Sequence, residues 1–426
     1  MRFLLSAGFT YLLFISEGLA QTDQRHPSYA VQGVEEFIDE GMSPFIGFNR
    51  PTSEILFDRQ NHVTDKAAQI LIKRQNDEII DNKFLIGGRF IGTSLFEKTN
   101  TDGKFPILSR LPPAHTSDNT GTLNIVNDAS INFILPLPYL TLFAQGEYTE
   151  NAYPGQSRQE WRKYYAMIGD LDVFPMYLAF GKKTVSFGDM SSYAPFTHSH
   201  NSHYFWAQND DDPLFELGYV DNGVHATASL IKNDRGNRVL NAPQGKNGYE
   251  NFALNATKDF MVETDHRLRI GAGFLRGTIY DSSLAHHPPS NGFQDRDWAN
   301  AYNIHGIYST SKYDLMAEFT RTVDKWPATD SHVHALTLQG RYRDYIWQIP
   351  VTYSLMWSEG VQGEEGDEWE KMIQTVAGIE MRLHPNVSIG FEYLNNLDFV
   401  PLIRPRVTAD NGVVSHTFLA GVKVTF

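Results

Sequence analysis

The densest group of metal-ligand residue types lies in Phe196-Thr-His198-Ser-His200-Asn-Ser-His203-Tyr-Phe. Imidazoles at i, i+2 and i+5 offer the nitrogen donors that zinc or iron takes, but only a loop that folds back brings all three to one ion. A polar loop rich in histidine needs no such fold. His198, His200 and His203 are therefore weak candidates, and the identity of any metal stays unknown. The nearby run Asn209-Asp-Asp-Asp212 carries oxygen donors of the calcium type but lacks the glycine and terminal carboxylate of an EF-hand. A solvated surface accounts for it more simply. Covalent chemistry has less to stand on: neither G-x-S-x-G nor H-E-x-x-H occurs. Serine and histidine are plentiful enough to leave a hydrolase as a minority alternative. No catalytic residue and no cofactor is expected.

A second set of ionisable residues recurs in short segments that alternate polar with apolar: Glu147, Arg267, Arg269, Asp314, Glu318, Glu380, Arg382 and Glu392. In Tyr313-Asp-Leu-Met-Ala-Glu-Phe-Thr320, for example, Tyr313, Leu315, Ala317 and Phe319 fall on one face and Asp314, Glu318 and Thr320 on the other. Strands with this period turn one face to each side of a sheet. If the apolar side met lipid, a charge placed there would cost roughly 2–4 kcal/mol near the midplane. The charged side must then face an interior, as pore-lining groups or as pairs that stiffen the wall.

Composition points to the same arrangement. The 426 residues carry a formal charge of −14, 13% aromatics and no cysteine, and mean hydropathy is −0.35. The acidic balance argues against a nucleic-acid partner. No segment after the first twenty residues is long and apolar enough for a membrane helix. A barrel wall reconciles frequent aromatics with a hydrophilic average, because each strand is apolar on one side only. The run Tyr345, Trp347, Ile349, Val351, Tyr353, Leu355, Trp357 has aliphatics in the middle and aromatics at its ends, as a bilayer-crossing strand requires.

About sixteen such segments follow residue 83. Short connections (136–138, 171–175, 221–223, 263–265, 310–312, Arg343-Asp344 and 384–386) alternate with long polar ones near 96–120, 152–159, 189–212, 235–247, 280–299, 324–331, 358–370 and 399–411. The expected fold is all-β, a transmembrane antiparallel up-and-down β-barrel of about 16 strands, preceded by a short, partly helical N-terminal segment. Residues 1–20, with Arg2, the apolar stretch Phe3 to Ile15 and the small residues Gly18 and Ala20, have the layout of a signal peptide. Export then leads to a Gram-negative outer membrane, with its lipid and lipopolysaccharide as surroundings. Residues 83–426 form the barrel. The final strand ends Val422-Lys-Val424-Thr-Phe426, a terminal aromatic of the kind the barrel assembly machinery recognises. Residues 21–82 form a periplasmic extension or a plug, in which Val63 to Gln75 fits an amphipathic helix with Ala67, Ile70 and Leu71 on one side.

One stretch also carries a likeness. Gly169-Asp-Leu-Asp172, then Pro175-Met-Tyr-Leu-Ala-Phe-Gly181-Lys-Lys-Thr-Val-Ser-Phe-Gly188, Glu216-Leu-Gly-Tyr219 and Asp221-Asn-Gly-Val-His-Ala-Thr-Ala-Ser-Leu-Ile-Lys-Asn-Asp234 resemble the siderophore porins typified by the Legionella legiobactin receptor. The likeness extends more weakly from residue 83 to Phe426. It implies a sixteen-stranded barrel that passes ferric siderophores but carries over no ligand residue. A bound chelate needs lumen or loop contacts, and the loop aromatics Tyr204, Phe205 and Trp206 are the candidates for them. Those proteins have a longer, coiled-coil-like N-terminal helix, whereas residues 21–82 here are short and interrupted by proline. A general diffusion porin is the alternative, and assembly into a homo-oligomer is expected only by analogy.

Overall fold

The computed structural model describes residues 46–48, 50–107, 118–150, 157–202, 211–232, 248–280, 299–326, 329–366, 370–399 and 410–426. The signal-peptide reading of residues 1–20 falls outside them.

A short strand, β1 (Ile46–Phe48), leads to helix α1 (Arg50–Phe57), a 3-10 turn (Val63–Asp65) and helix α2 (Lys66–Gln75). Sixteen long strands follow: β2 (Phe84–Thr99), β3 (Thr120–Leu137), β4 (Leu140–Tyr148), β5 (Gln159–Ile168), β6 (Met176–Thr184), β7 (Asp211–Asp221), β8 (Val224–Ile231), β9 (Asn251–Glu263), β10 (His266–Arg276), β11 (Ala301–Ser309), β12 (Tyr313–Thr322), β13 (His334–Ile346), β14 (Ile349–Val361), β15 (Lys371–His384), β16 (Val387–Phe399) and β17 (Asp410–Thr425). Each pairs antiparallel with the next, and β17 returns to β2 with Ser415 opposite Thr99 and Thr425 opposite Arg89. The barrel is closed, so no hydrogen-bonding edge is left along its length.

The seven tight turns all lie at one end and the long connections at the other. Six of the expected short turns fall where the sequence placed them. The seventh does not: the β13–β14 reversal is at Trp347-Gln348, both at positive φ (47° and 70°), rather than at Arg343-Asp344. Tyr345 and Trp347 therefore do not share a strand with Val351 and Tyr353. The aromatic–aliphatic–aromatic run ended on an exposed turn, where Trp347 is 92% accessible. Alternation alone does not mark a reversal that needs no glycine or proline.

The outer face is apolar. Leu178, Leu217, Leu254, Ile304, Leu315, Leu355 and Phe418 point outward and are exposed. Near the short-turn end Tyr313, Tyr342 and Tyr353 stand side by side on β12, β13 and β14, with the rings of Tyr342 and Tyr353 stacked 6.5 Å apart. A row of tyrosines bordering an aliphatic band matches the preference of such rings for a membrane interface.

At the seam, β2 extends past the end of β17. Phe426 exchanges backbone hydrogen bonds with Gly88, and β1 occupies the remaining edge in parallel register, Ile46 opposite Phe84 to Phe48 opposite Ile86. The Phe48 and Phe426 rings meet edge to face at 6.1 Å. From this rim the chain enters the barrel as α1, turns over residues 58–65, and comes back as α2. The amphipathic helix expected over Val63–Gln75 thus appears as the 3-10 turn plus α2. Its face of Ala67, Ala68, Ile70 and Leu71 rests on Leu85, Ile134, Phe143, Tyr165, Met167, Tyr177 and Ala179, the inward residues of β2 to β6.

Candidate functional site in the barrel lumen

Inward-facing residues of an open, water-filled barrel would touch solvent. Here Asn132, Thr141, Glu216, Asn303, Glu318, Thr337, Gln374 and Glu392 face the axis and are all buried. Two segments cover them: the hairpin made by α1 and α2, and residues 185–202, which leave β6 and run inside the barrel as a strap.

The charges predicted for the polar face all lie on inward positions, and most are paired across adjacent strands. Glu147 accepts from Arg162 Nη1 at 3.0 and 3.2 Å. Asp259 holds Arg267 at 2.5 Å and Arg269 at 2.8 Å. Asp314 binds both Arg341 and Arg343. Glu380 meets Lys423 at 2.6 Å. Arg382 reaches Glu54 of α1 at 4.0 Å. Two pairs that were not anticipated join them, Arg89 with Asp128 and Lys183 with Glu216 (2.7 Å). Lys182 and Lys183 point to opposite faces, and only Lys183 is buried.

Glu318 and Glu392 behave differently, because they carry the strap. Glu318 Oε1 accepts from the backbone N–H groups of Asp189 (3.0 Å) and Met190 (3.2 Å) and from Asn303 (2.9 Å). Glu392 accepts from the N–H groups of Phe196 and Thr197 and from the Thr197 hydroxyl at 2.7 Å. Between these two pegs, Gln339 Oε1 accepts from Tyr193 N at 2.8 Å and its Nε2 donates to Ser191 O at 2.8 Å. Beyond them Asn201 Nδ2 donates to the Ser358 and Met372 carbonyls, each at 2.9 Å. The Phe196 ring lies flat on Gly421, where a Cβ would come within 2.5 Å of it. A buried strap has no β-ladder of its own, so wall side chains must satisfy its backbone groups. Gln339 and Ser358 were missed because an amide or hydroxyl on a polar face gives no hint of what it will hold. Their inward placement was the only available signal.

The turn of the hairpin touches the strap. Ser192 N donates to Arg59 O (3.1 Å), Gln60 Nε2 to Tyr193 O (3.2 Å), and Thr64 Oγ1 to Gly188 O (2.7 Å). A charged knot binds the same region to the wall. Asp65 lies 3.3 Å from His225 and 3.5 Å from Arg269, and His62 lies 3.4 Å from Asp189. Burial would raise the Asp65 carboxyl, but His225 and Arg269 override it and hold the group well below the usual carboxylate range. Asp189 is held low in the same way, its burial outweighed by the hydrogen bond and charge of His62. Burial pushes the Lys66 ammonium down to about 8. Its Nζ donates to the carbonyls of Ile55 and Asn61, both at 2.8 Å, tying α2 to the preceding loop.

Of the histidine candidates, His200 is buried in the strap with Nε2 3.3 Å from the Met190 carbonyl oxygen, and His198 sits at φ 48°. His203 and the loop contacts Tyr204, Phe205 and Trp206 lie outside the described residues, as do Asn209 and Asp210. Among the described residues, the group that brings three metal-type donor atoms within 4.8 Å of one another is Glu263, Asp265 and His266, on the exposed β9–β10 turn.

No family model and no curated protein matches the chain. Solved structures do. The outer-membrane channel DcaP of Acinetobacter baumannii aligns with a TM-score of 0.53 at 14% identity, over 81% of this chain and 97% of that one. The fold is that of outer-membrane porins. OprB of Pseudomonas putida aligns with a TM-score of 0.57 at 7% identity, over 87% of this chain and 99% of that one. An anion-selective porin from Comamonas acidovorans gives 0.53 at 9%, covering 81% and 99%. At such identities the likeness concerns architecture, and the pairs and pegs above are read from this chain alone.

Proposed function

We propose that the chain is an outer-membrane channel that passes a small solute without covalent chemistry. The observation that carries this is the closed sixteen-stranded barrel whose outer face is an aliphatic band bordered by tyrosines and whose inner face is charged and polar. Such a wall is stable only with lipid outside and a polar interior. On this reading the tight turns are periplasmic, the long connections extracellular, and Phe426 is the residue offered to the assembly machinery.

The sharper form is passage of a ferric siderophore, supported by the sequence likeness over residues 169–234, with Tyr204, Phe205 and Trp206 as contacts for the chelate. The general-porin form is supported by the shared fold, which solute-nonspecific barrels also use. Planar-bilayer conductance, with and without ferric chelates, separates the two. Block by a ferric chelate that the iron-free ligand does not reproduce is the result expected of the siderophore form. Conductance indifferent to every chelate leaves the general porin. Silence in the bilayer together with lipid or peptide hydrolysis in detergent would overturn both.

A further inference from the structure

Both the hairpin and the strap occupy the lumen, so displacing either would widen the path through it. Their attachments differ in what displacement would leave behind. Moving the strap would strip Glu318 and Glu392 of the backbone donors they hold and leave those N–H groups buried without acceptors, the most expensive kind of polar loss. Moving α2 would expose the apolar bed on β2 to β6. The part from β1 through α1 to Asn61 carries less of each. Arg59 O accepts one strap N–H, that of Ser192, and Gln60 Nε2 donates to Tyr193 O. Ile55 O and Asn61 O receive the Lys66 ammonium of α2, and Leu56 is its contribution to the apolar cluster.

This leaf touches four wall charges, of which three are paired on the wall and the fourth is exposed at the rim. Arg89 donates to the Phe57 carbonyl but is paired with Asp128. Glu147 has Arg59 at 3.8 Å but is held by Arg162. Arg341 donates to Asn61 Oδ1 but is paired with Asp314. Arg382 stands 4.0 Å from Glu54 at the rim, 38% exposed to solvent. Departure of the leaf leaves no wall charge both buried and unpaired. Its links to the sheet, beyond those charges, are the three-residue parallel pairing of β1 and a bond from Arg50 Nη1 to Pro385 O at 3.2 Å. Its link to α2 passes through His62, which adopts φ 48° in the left-handed region, a natural place for a change of direction. Ser53 of α1 rests on Gly87 of β2, where the wall has no side chain: a Cβ there would fall 1.7 Å from Ser53 Oγ and 2.8 Å from Ser53 Cβ.

We propose that β1, α1 and the loop to Asn61 form a leaf that closes the lumen at rest and opens by swinging about His62, while α2 and the strap stay in place. The proposal rests on the channel reading and adds its regulation. Because the chain has no cysteine, a single engineered pair gives clean thiol control. In Ser53→Cys/Gly87→Cys the two Cβ positions are close enough for a disulfide after a shift of about 1 Å. Oxidation pins the leaf to β2. Gly87→Ala acts in the opposite sense, since its methyl overlaps Ser53 and pushes the leaf away.

The experiment is planar-bilayer recording of the full chain. Oxidised Ser53→Cys/Gly87→Cys should show an open probability at least tenfold below its reduced form, and Gly87→Ala should exceed the wild type several-fold. Equal open probability in the oxidised and reduced pair, or a Gly87→Ala protein indistinguishable from wild type, overturns the leaf while leaving a conducting channel intact. No conductance from any of the proteins, with the strand circular dichroism of each unchanged, overturns the channel reading itself.

Discussion

The two fillings that stay put in this picture, α2 and the strap, are held by opposite kinds of force. α2 lies on β2 to β6 through Ala67, Ala68, Ile70 and Leu71, meeting an inner wall that is locally apolar. The strap passes along β9 to β17 and is hung at intervals from Glu318, Gln339, Ser358 and Glu392. An apolar bed is additive and forgiving: each methylene contributes about 0.8 kcal/mol, and a small slide loses little. A peg that accepts three hydrogen bonds from buried donors fixes position sharply and fails abruptly. The helix is therefore the tolerant liner, and the strap is the part whose course through the lumen is set residue by residue.

The largest effect should come from a peg. Glu392→Ala leaves the N–H groups of Phe196 and Thr197 without their acceptor, at a cost of about 2–5 kcal/mol. The strap should become protease-sensitive in detergent while α2 keeps its hydrogen-exchange protection. Glu392→Gln retains an acceptor and should recover at least half of the loss. Next in size is the bed. Ile70 is fully buried, and Ile70→Ala should weaken α2 docking by about 2–4 kcal/mol, seen as faster exchange over residues 66–75 with the strap unchanged. If either substitution loosens both segments equally, the lumen is one cooperative unit and the contrast collapses.

Much of this barrel was legible from period-two alternation, because the outward face of the strands is apolar throughout and so follows one uniform rule. The count near sixteen, the alternating connections and the inward placement of Glu147, Asp314 and Glu392 all follow from that one constraint. The interior obeys no single rule. Phe143, Tyr165 and Met167 point inward, against the expectation that inward means polar, since they serve α2 rather than water. Glu318 and Glu392 looked like pore-lining charge, yet they bind backbone of a segment more than a hundred residues earlier in the chain. The partner of a buried carboxylate depends on tertiary placement that alternation does not encode. The β13–β14 turn was misplaced by four residues for a related reason: Trp347 and Gln348 adopt positive φ without the Gly, Asn or Asp that usually announces it.

The smallest predicted effect tests whether the leaf and α2 are joined through Lys66, and here the sign can be worked out. The buried ammonium titrates near 8, whereas an unfolded or undocked lysine stays near 10.5. Between those values the undocked state binds more protons, so docking strengthens as pH rises through this window and is weakest below about 8. Hydrogen-exchange protection of residues 50–75, corrected for the intrinsic rate, should therefore grow from pH 8 to pH 10 relative to the barrel strands. Lys66→Met removes the titrating group, and it also removes the two bonds to Ile55 O and Asn61 O. It should flatten the pH dependence while lowering protection of the leaf more than that of α2. A pH slope that survives in Lys66→Met would assign the effect to other groups in the lumen, and equal loss in leaf and helix would mean that Lys66 fastens the hairpin as a whole rather than the leaf to its mount.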